Sequence, residues 1–124
     1  MNIMEWTFRG FDAMGRKGWV YGDLVHNKKV TDTGLEDRVM VGGYEVVPES
    51  VGICTGLKSA DDRIIYEGDI VALGGKLAGV VEYSNDLGMF CVCYDKESGN
   101  WFSFERFVSH GCTVVGNKFE NKNL

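Results

Sequence analysis

The chain has 124 residues, which is enough for one domain and too few for two full hydrophobic cores. Charged residues make up 25% of the chain and hydrophobic residues 44%, so the composition excludes an intrinsically disordered or collagen-like protein. The sequence contains 17 Gly and 15 Val but only 4 Ala and no Gln, and this excess of strand and turn formers predicts an all-β fold.

The charge is uneven along the chain. Thirteen basic and 18 acidic side chains give a net charge of -5, which disfavours binding to the phosphates of duplex DNA. Residues 1–30 nevertheless carry five basic and three acidic side chains. Their basic residues form either a weakly positive face or a strand edge that charge keeps soluble and unpaired, and we favour the edge because no run of like charges is long. These residues are Arg9, Arg16, Lys17, Lys28 and Lys29.

The chain begins at Met1 without a basic segment followed by an apolar run, so we expect no signal peptide. No stretch approaches the roughly 20 consecutive apolar residues of a membrane-spanning helix. We therefore expect a cytoplasmic protein without a membrane partner, in which the four cysteines stay reduced.

The first half of the chain predicts two hairpins. Residues 3–25 contain two strand-like segments separated by a polar turn with two glycines. Residues 28–37 are polar and turn-prone, and predict a short strand or a mobile loop. A second hairpin or a bulge is expected around Gly42-Gly43. Pro48 ends this region and suits the first position of a single helical turn, after which residues 49–57 predict a connection.

From Ile64 onwards, strand-like segments recur about every ten residues, which is the spacing of a meander, a barrel or a sandwich. No stretch has a 3.6-residue period long enough for a substantial helix. At the turn before Ile70, we expect Gly68 to adopt a positive φ and Asp69 to accept hydrogen bonds from the turn's backbone amides. The predicted strands span 63–66, 70–73, 77–83, 89–94, 101–104 and 112–119.

The cysteines lie in apolar stretches, where cysteine mostly behaves as a small buried hydrophobe. The alternative is a zinc site formed by Cys91, Cys93, Cys112 and His110. Structural zinc ligands are usually paired with two to four residues between them, whereas each of these pairs is separated by a single residue. The spacing therefore favours buried thiols and predicts no metal site.

The sequence contains no recognisable catalytic triad or phosphate-binding loop. His26 and His110 lie far apart, and Ser109 next to His110 would point to the opposite face of a strand. Gly74-Gly75-Lys76 lacks both the first glycine of a phosphate loop and a Ser or Thr after the lysine. Neither pattern predicts a site.

Glu67 and Asp69 form a pair of carboxylates two residues apart, which is a pattern that can bind a cation or transfer protons. Gly68 lies between them, so stabilisation of a turn is the simpler interpretation. We therefore predict no catalytic, cofactor-binding or metal-binding residues, and no enzyme activity.

Three blocks of the sequence occur in an order that is typical of one family. They are Phe8-Arg9-Gly10-Phe11-Asp12 with Trp19-Val20-Tyr21-Gly22, then Thr55-Gly56-Leu57-Lys58 with Ile65-Tyr66-Glu67-Gly68-Asp69-Ile70-Val71, and finally Val114-Val115-Gly116-Asn117 with Phe119-Glu120-Asn121. Over about residues 6–124 the chain resembles the YopX protein family, small proteins encoded mainly by bacteriophages and prophages. It departs from the family pattern at Ser59, often acidic, at Lys118, usually Ile, and at Lys122-Asn123-Leu124, commonly Pro-Glu-Leu.

The resemblance implies a compact all-β fold of coiled and bifurcated antiparallel sheets, with an SH3-barrel-like part and little helix. It implies a single domain over residues 1–124, with an N-terminal β-hairpin region at about 1–47 and the barrel-like part at about 51–124. The biochemical role of the family is uncharacterised, so the resemblance implies a phage or prophage accessory protein and leaves its mechanism open.

We expect a non-enzymatic protein that acts through protein–protein contacts or self-assembly, with no cofactor and no small-molecule substrate. Exposed aromatic residues are natural contact anchors, although a small domain also needs most of its large side chains in the core. A single-stranded nucleic-acid-binding module on a small β-barrel is the less favoured alternative, and a metal-dependent or small-molecule enzyme is a third. The candidate anchors are Trp6, Trp19, Trp101, Tyr21 and Tyr83.

Overall fold

A computed structural model describes residues 7–74, 77–95 and 100–121. The chain divides into two compact units, Met1–Ile53 and Cys54–Leu124. We call them unit 1 and unit 2. Residues 3–6 of the first predicted strand lie outside the described residues.

Unit 1 consists of antiparallel strands and one turn of 3-10 helix at Pro48–Ser50. The first strand pairs on one side with the second and on the other with the first residues of the sixth, where Phe8 lies opposite Ile53. The helical turn expected after Val47 is confirmed. The strands are β1 (Phe8–Phe11), β2 (Trp19–Gly22), β3 (Leu24–Thr31), β4 (Gly34–Val41), β5 (Tyr44–Glu45) and the start of β6 (Gly52–Lys58).

Strands β3 and β4 form a regular hairpin of two eight-residue strands, which we call the arm. The predicted short strand or loop over 28–37 is therefore wrong, because these residues form the outer half of the arm. Complementary cross-strand pairs favour the regular ladder, among them Lys28 opposite Asp37. At the turn, the Thr31 hydroxyl donates to the Gly34 carbonyl oxygen at 3.1 Å. The expected hairpin at Gly42-Gly43 joins β4 to β5 and is confirmed.

The core of unit 1 lies near the base of the arm. Val20, Val41 and Val46 are buried there, and Val39 packs against them from β4. The Ser50 hydroxyl accepts a hydrogen bond from the Phe11 amide at 2.7 Å and donates to the Val47 carbonyl oxygen at 2.6 Å. The base of the arm is thus fixed by packing, whereas the outer residues of both strands are mostly exposed.

Unit 2 contains the rest of β6, a meander of strands, one short helix and a closing strand. The rest of β6 pairs with the next strand, where Cys54 lies opposite Tyr66. The sequence wrongly predicts a connection here, because Gly52 and Gly56 weaken the strand signal. The elements are β7 (Ile64–Tyr66), β8 (Asp69–Leu73), β9 (Leu77–Ser84), β10 (Met89–Asp95), β11 (Asn100–Ser103), α1 (Phe104–Ser109) and β12 (Thr113–Asn117).

Five of these strands form one antiparallel sheet in the order β11-β10-β9-β8-β12. Strands β8 to β11 follow one another as a meander, and β12 returns to pair with β8. The described strands form an open sheet with β11 and β12 at its edges, and they do not close into a barrel. The predicted all-β fold with antiparallel sheets and little helix is confirmed.

Helix α1 covers one face of this sheet. Phe107 is the largest fully buried side chain among the described residues, and it packs with Val71, Val81 and Val92 from three neighbouring strands. Phe90 and Phe104 contact each other edge-on, with ring centroids 6.2 Å apart. The helix has only six residues, which is too short for a helical period to show in the sequence. None of the described helices has the length and apolar character needed to cross a membrane.

Candidate functional site

The candidate metal ligands occupy different environments. Cys91 and Cys93 lie on the same face of β10, opposite Ser103 and Trp101 of β11. His110 is exposed at the end of α1, whereas the following Cys112 is fully buried. Within residues 7–74, 77–95 and 100–121, no three His, Cys, Asp or Glu side chains are placed to hold a metal ion. That the protein binds no metal stays a prediction.

The buried thiols are poor nucleophiles at neutral pH. Burial raises the pKa of Cys91, and burial together with the nearby charge of Asp61 raises the pKa of Cys112. The thiolate is the reactive form and the form that binds metals, so a raised pKa suppresses both activities. Cys54 is also buried, and none of the four cysteines forms a disulfide.

The turn between β7 and β8 holds the predicted carboxylate pair. Gly68 has a φ of 94°, as expected, and the buried carboxylate of Asp69 accepts a hydrogen bond from the Tyr66 amide at 2.8 Å. Both predictions for this turn are confirmed. Asp69 is thus part of the turn itself, and Glu67 is only half-buried. Of the glycine–lysine segment, Gly74 lies in the next turn, and Gly75 and Lys76 lie outside the described residues.

The C-terminal block forms a second hydrogen-bonded turn. The Asn117 side chain accepts from the Glu120 amide and donates to the Glu120 carboxylate, both at 2.8 Å. The Asn117 amide donates to Asn121 Oδ1 at 3.0 Å. A Cβ atom at position 116 would lie 2.5 Å from that same oxygen, so a larger residue there would displace the Asn121 side chain.

These two turns are joined through the backbone of Gly68. Its amide donates to the Val81 carbonyl oxygen, and its carbonyl oxygen accepts from the Lys118 amide, both at 2.8 Å. The structure therefore brings together the central and C-terminal blocks. Position 118 contributes its backbone amide to this junction, and the Lys118 ammonium lies 3.5 Å from the Glu82 carboxylate.

The N-terminal block also stabilises a turn. The buried Asp12 carboxylate accepts hydrogen bonds from the amides of Met14 and Lys17, both at 3.1 Å. The Arg9 guanidinium lies 4.6 Å from the centre of the Trp19 ring. This cation–π contact and these hydrogen bonds fix the link between β1 and β2.

A comparison with protein-family models matches residues 7–124 to the family described as YopX protein. The chain belongs to the YopX family. No curated protein matches the chain. Asp12, Asp69 and Asn117 of the YopX blocks hold turns, which leaves the exposed side chains as the candidates for a functional role.

Some of the predicted aromatic anchors are exposed. Tyr21 in unit 1 is 53% exposed, and Tyr83 and Trp101 in unit 2 are 47% and 44% exposed. Trp19 is half-buried against Arg9, and Trp6 lies outside the described residues. Two exposed aromatic residues that the sequence did not single out are Tyr44, beside Lys17, and Tyr94, stacked on Phe102.

The basic residues near the N-terminus mostly have partners. Arg9 is buried against Trp19, and the Lys17 ammonium lies 5.8 Å from the centre of the Tyr44 ring. Lys28 pairs with Asp37 at 2.7 Å and Lys29 with Glu45 at 2.9 Å. The two ion pairs neutralise Lys28 and Lys29, which weakens the less favoured alternative of a positive face.

The arm carries the most exposed aliphatic side chains among the described residues. Val30 and Leu35 lie directly opposite each other near its tip and are 83% and 67% exposed. An open hollow of about 390 Å³ lies beside the middle of the arm and is lined by His26, Asn27, Lys28, Asp37, Arg38 and Val39. The sequence analysis did not predict the arm. A signal for it exists, because the turn-forming Asp32-Thr33-Gly34 is flanked by the basic pair Lys28-Lys29 and the acidic pair Glu36-Asp37, which can pair across two strands.

Replacing Asn117 tests whether the C-terminal block stabilises the fold. We expect Asn117→Ala to lower the free energy of unfolding by about 1–2 kcal/mol, because it removes the side chain that caps the Glu120 amide. Urea denaturation measures the change, with the exposed Val115→Ala as a control expected to stay within about 0.5 kcal/mol. An Asn117→Ala protein as stable as wild type would contradict this role.

The pKa of Asp37 tests the ion pair of the arm. The hydrogen bond and positive charge of Lys28 lower the pKa of this carboxyl below its ordinary value. The pair therefore adds to stability above the ordinary carboxyl pKa, and the contribution is lost as the pH falls through the lowered value. In NMR titrations, Lys28→Met should return the pKa of Asp37 towards its ordinary value, whereas Lys29→Met should leave it unchanged. No change in the Lys28→Met protein would show that the pair does not persist in solution.

Proposed function

We propose that this YopX-family protein is a non-enzymatic phage-type accessory protein that acts through protein–protein contacts, with the arm as its contact surface. The observation that supports the proposal is the exposed pair of Val30 and Leu35 near the end of the arm. Burying an aliphatic side chain of this size contributes about 1.5–3 kcal/mol. Val30 and Leu35 gain little of that energy in the isolated chain, because both are exposed. A partner that buries them would therefore bind more tightly.

The environments of the titratable residues support a role without catalysis. The Asp12 and Asp69 carboxylates accept hydrogen bonds from backbone amides in turns. Burial raises the pKa values of the Cys91 and Cys112 thiols. Side chains used in this way are poor candidates for proton transfer or nucleophilic attack.

We further propose that the protein works in the cytoplasm of a bacterial host cell. The resemblance to phage and prophage proteins supports this setting. The four cysteines without disulfides are consistent with a reducing compartment, where disulfides rarely persist.

Binding to single-stranded nucleic acid is the second candidate function. Exposed Trp101 and Tyr94 offer rings on which bases stack. Backbone phosphates also require available positive charge, and the pairs Lys28–Asp37 and Lys29–Glu45 reduce it in unit 1. We therefore favour protein contacts, and salt-dependent micromolar binding of labelled oligonucleotides would reverse that preference.

The proposal is tested by replacing both aliphatic residues of the arm. We expect the double variant Val30→Ser/Leu35→Ser to lose at least about tenfold in partner binding or self-association, because it removes two apolar contacts. Affinity purification of the tagged protein from host cells and light scattering of the purified protein measure the two effects. Val115→Ser is the matched control, since it makes the same kind of change at a 59% exposed strand position in unit 2.

Equal partner recovery and equal self-association by wild type and the double variant would contradict the assignment to the arm. A strictly monomeric wild-type protein that recovers no partner would contradict a function in protein contacts.

A further inference from the structure

We propose that the arm binds the arm of a second copy of the chain, through the outer half of one face and about a two-fold axis that runs along the arms. This inference rests on the proposed function in protein contacts and names the partner. It depends on three properties of the face: its exposed apolar pair, its ion pair and their order along the strands.

The relevant face carries two cross-strand pairs of different character. Lys28 lies opposite Asp37, and Val30 lies opposite Leu35 two residues further towards the turn. Side chains two residues apart on a strand point to the same face, so all four share one side of the arm. The side chains of Lys28 and Asp37 are 61% and 88% exposed, and both are therefore accessible to a second chain.

A two-fold axis along the arms makes this face complementary to itself. Such an axis places β3 of one copy over β4 of the other and keeps residues at the same distance from the tip together. Lys28 then lies over Asp37 of the second copy, and Val30 lies over its Leu35. Each ammonium has a carboxylate partner within its own arm and another across the interface, and the apolar pairs cover each other.

The charges also select the orientation. If the two arms packed face to face with their tips pointing in opposite directions, β3 would lie over β3 and β4 over β4. In the register that stacks the two ion pairs, Lys28 would then face Lys28 and Asp37 would face Asp37, which is unfavourable. Only the parallel orientation stacks ion pair on ion pair and apolar pair on apolar pair at the same time. The face bears one charge of each sign, so it also offers no net charge to a strongly acidic or basic partner. A second copy in the parallel orientation is the partner that matches both the ion pair and the apolar pair.

The contact is small, because it uses only the outer half of a two-stranded hairpin. Interfaces well below the standard size are weak, so we expect association that depends on protein concentration and is weakened by salt. The charge pattern nevertheless predicts which charge variants associate with each other, and this prediction does not depend on the size of the contact.

The test uses two variants that are self-repelling alone and complementary when mixed. Lys28→Glu leaves two acidic side chains on the face, and Asp37→Lys leaves two basic ones. We expect each variant to self-associate at least about tenfold more weakly than wild type in sedimentation velocity. An equimolar mixture should associate at least about tenfold more tightly than either variant alone. The double variant K28D/D37K restores both kinds of pair and should associate like wild type.

Circular dichroism and the dispersion of NMR amide signals verify that each variant is folded. Restored association in the mixture and in K28D/D37K supports arm-to-arm docking. Wild type that remains monomeric at about millimolar concentration overturns it. So does wild type that associates while the mixture behaves like the separate variants. Either negative result leaves binding to other proteins to be decided by partner recovery with Val30→Ser/Leu35→Ser, so the failure of this inference is distinct from failure of the proposed function.

Discussion

The backbone of Gly68 is the junction on which the architecture of unit 2 depends. Its amide bonds to the Val81 carbonyl oxygen and its carbonyl oxygen to the Lys118 amide, so one residue connects the β7–β8 turn to β9 and to the end of β12. Gly68 tolerates the required φ of 94° without the steric cost that a Cβ atom would add. Asp69 fixes the same turn through the Tyr66 amide.

The residues that hold the fold differ from those that are available for contacts. Asp69, Asn117 and, in unit 1, Asp12 use their side chains to satisfy backbone amides in turns. Their occurrence in the YopX blocks follows from the geometry of those turns. Val30 and Leu35 belong to none of these blocks, and their exposure gives no benefit to the isolated fold. The proposed function and the proposed arm-to-arm contact both follow from this division.

The sequence predicted features that depend on local chemistry. Gly68 with Asp69 predicted the turn, because glycine tolerates a positive φ and the carboxylate accepts from a backbone amide, and Pro48 predicted the helical turn, because its ring fixes φ. The arm was missed because its strands are stabilised by cross-strand pairs, and polar residues such as Lys28 and Asp37 carry little strand propensity alone. The exposure of Val30 could not be predicted from the sequence, since the alternation of side chains along a strand identifies the two faces of the strand without showing what covers either face. Helix α1 was missed because Phe104 and Phe107 stabilise six residues through packing.

Hydrogen–deuterium exchange followed by NMR tests the central claim that the Gly68 junction holds unit 2 while the outer arm opens independently of the cores. We expect the amides of Gly68 and Lys118 to exchange only through global unfolding of unit 2. We expect hydrogen-bonded amides in the outer half of the arm to exchange at least about a hundredfold faster, because few buried contacts oppose their local opening. Exchange at Gly68 and Lys118 as fast as in the outer arm would contradict the account.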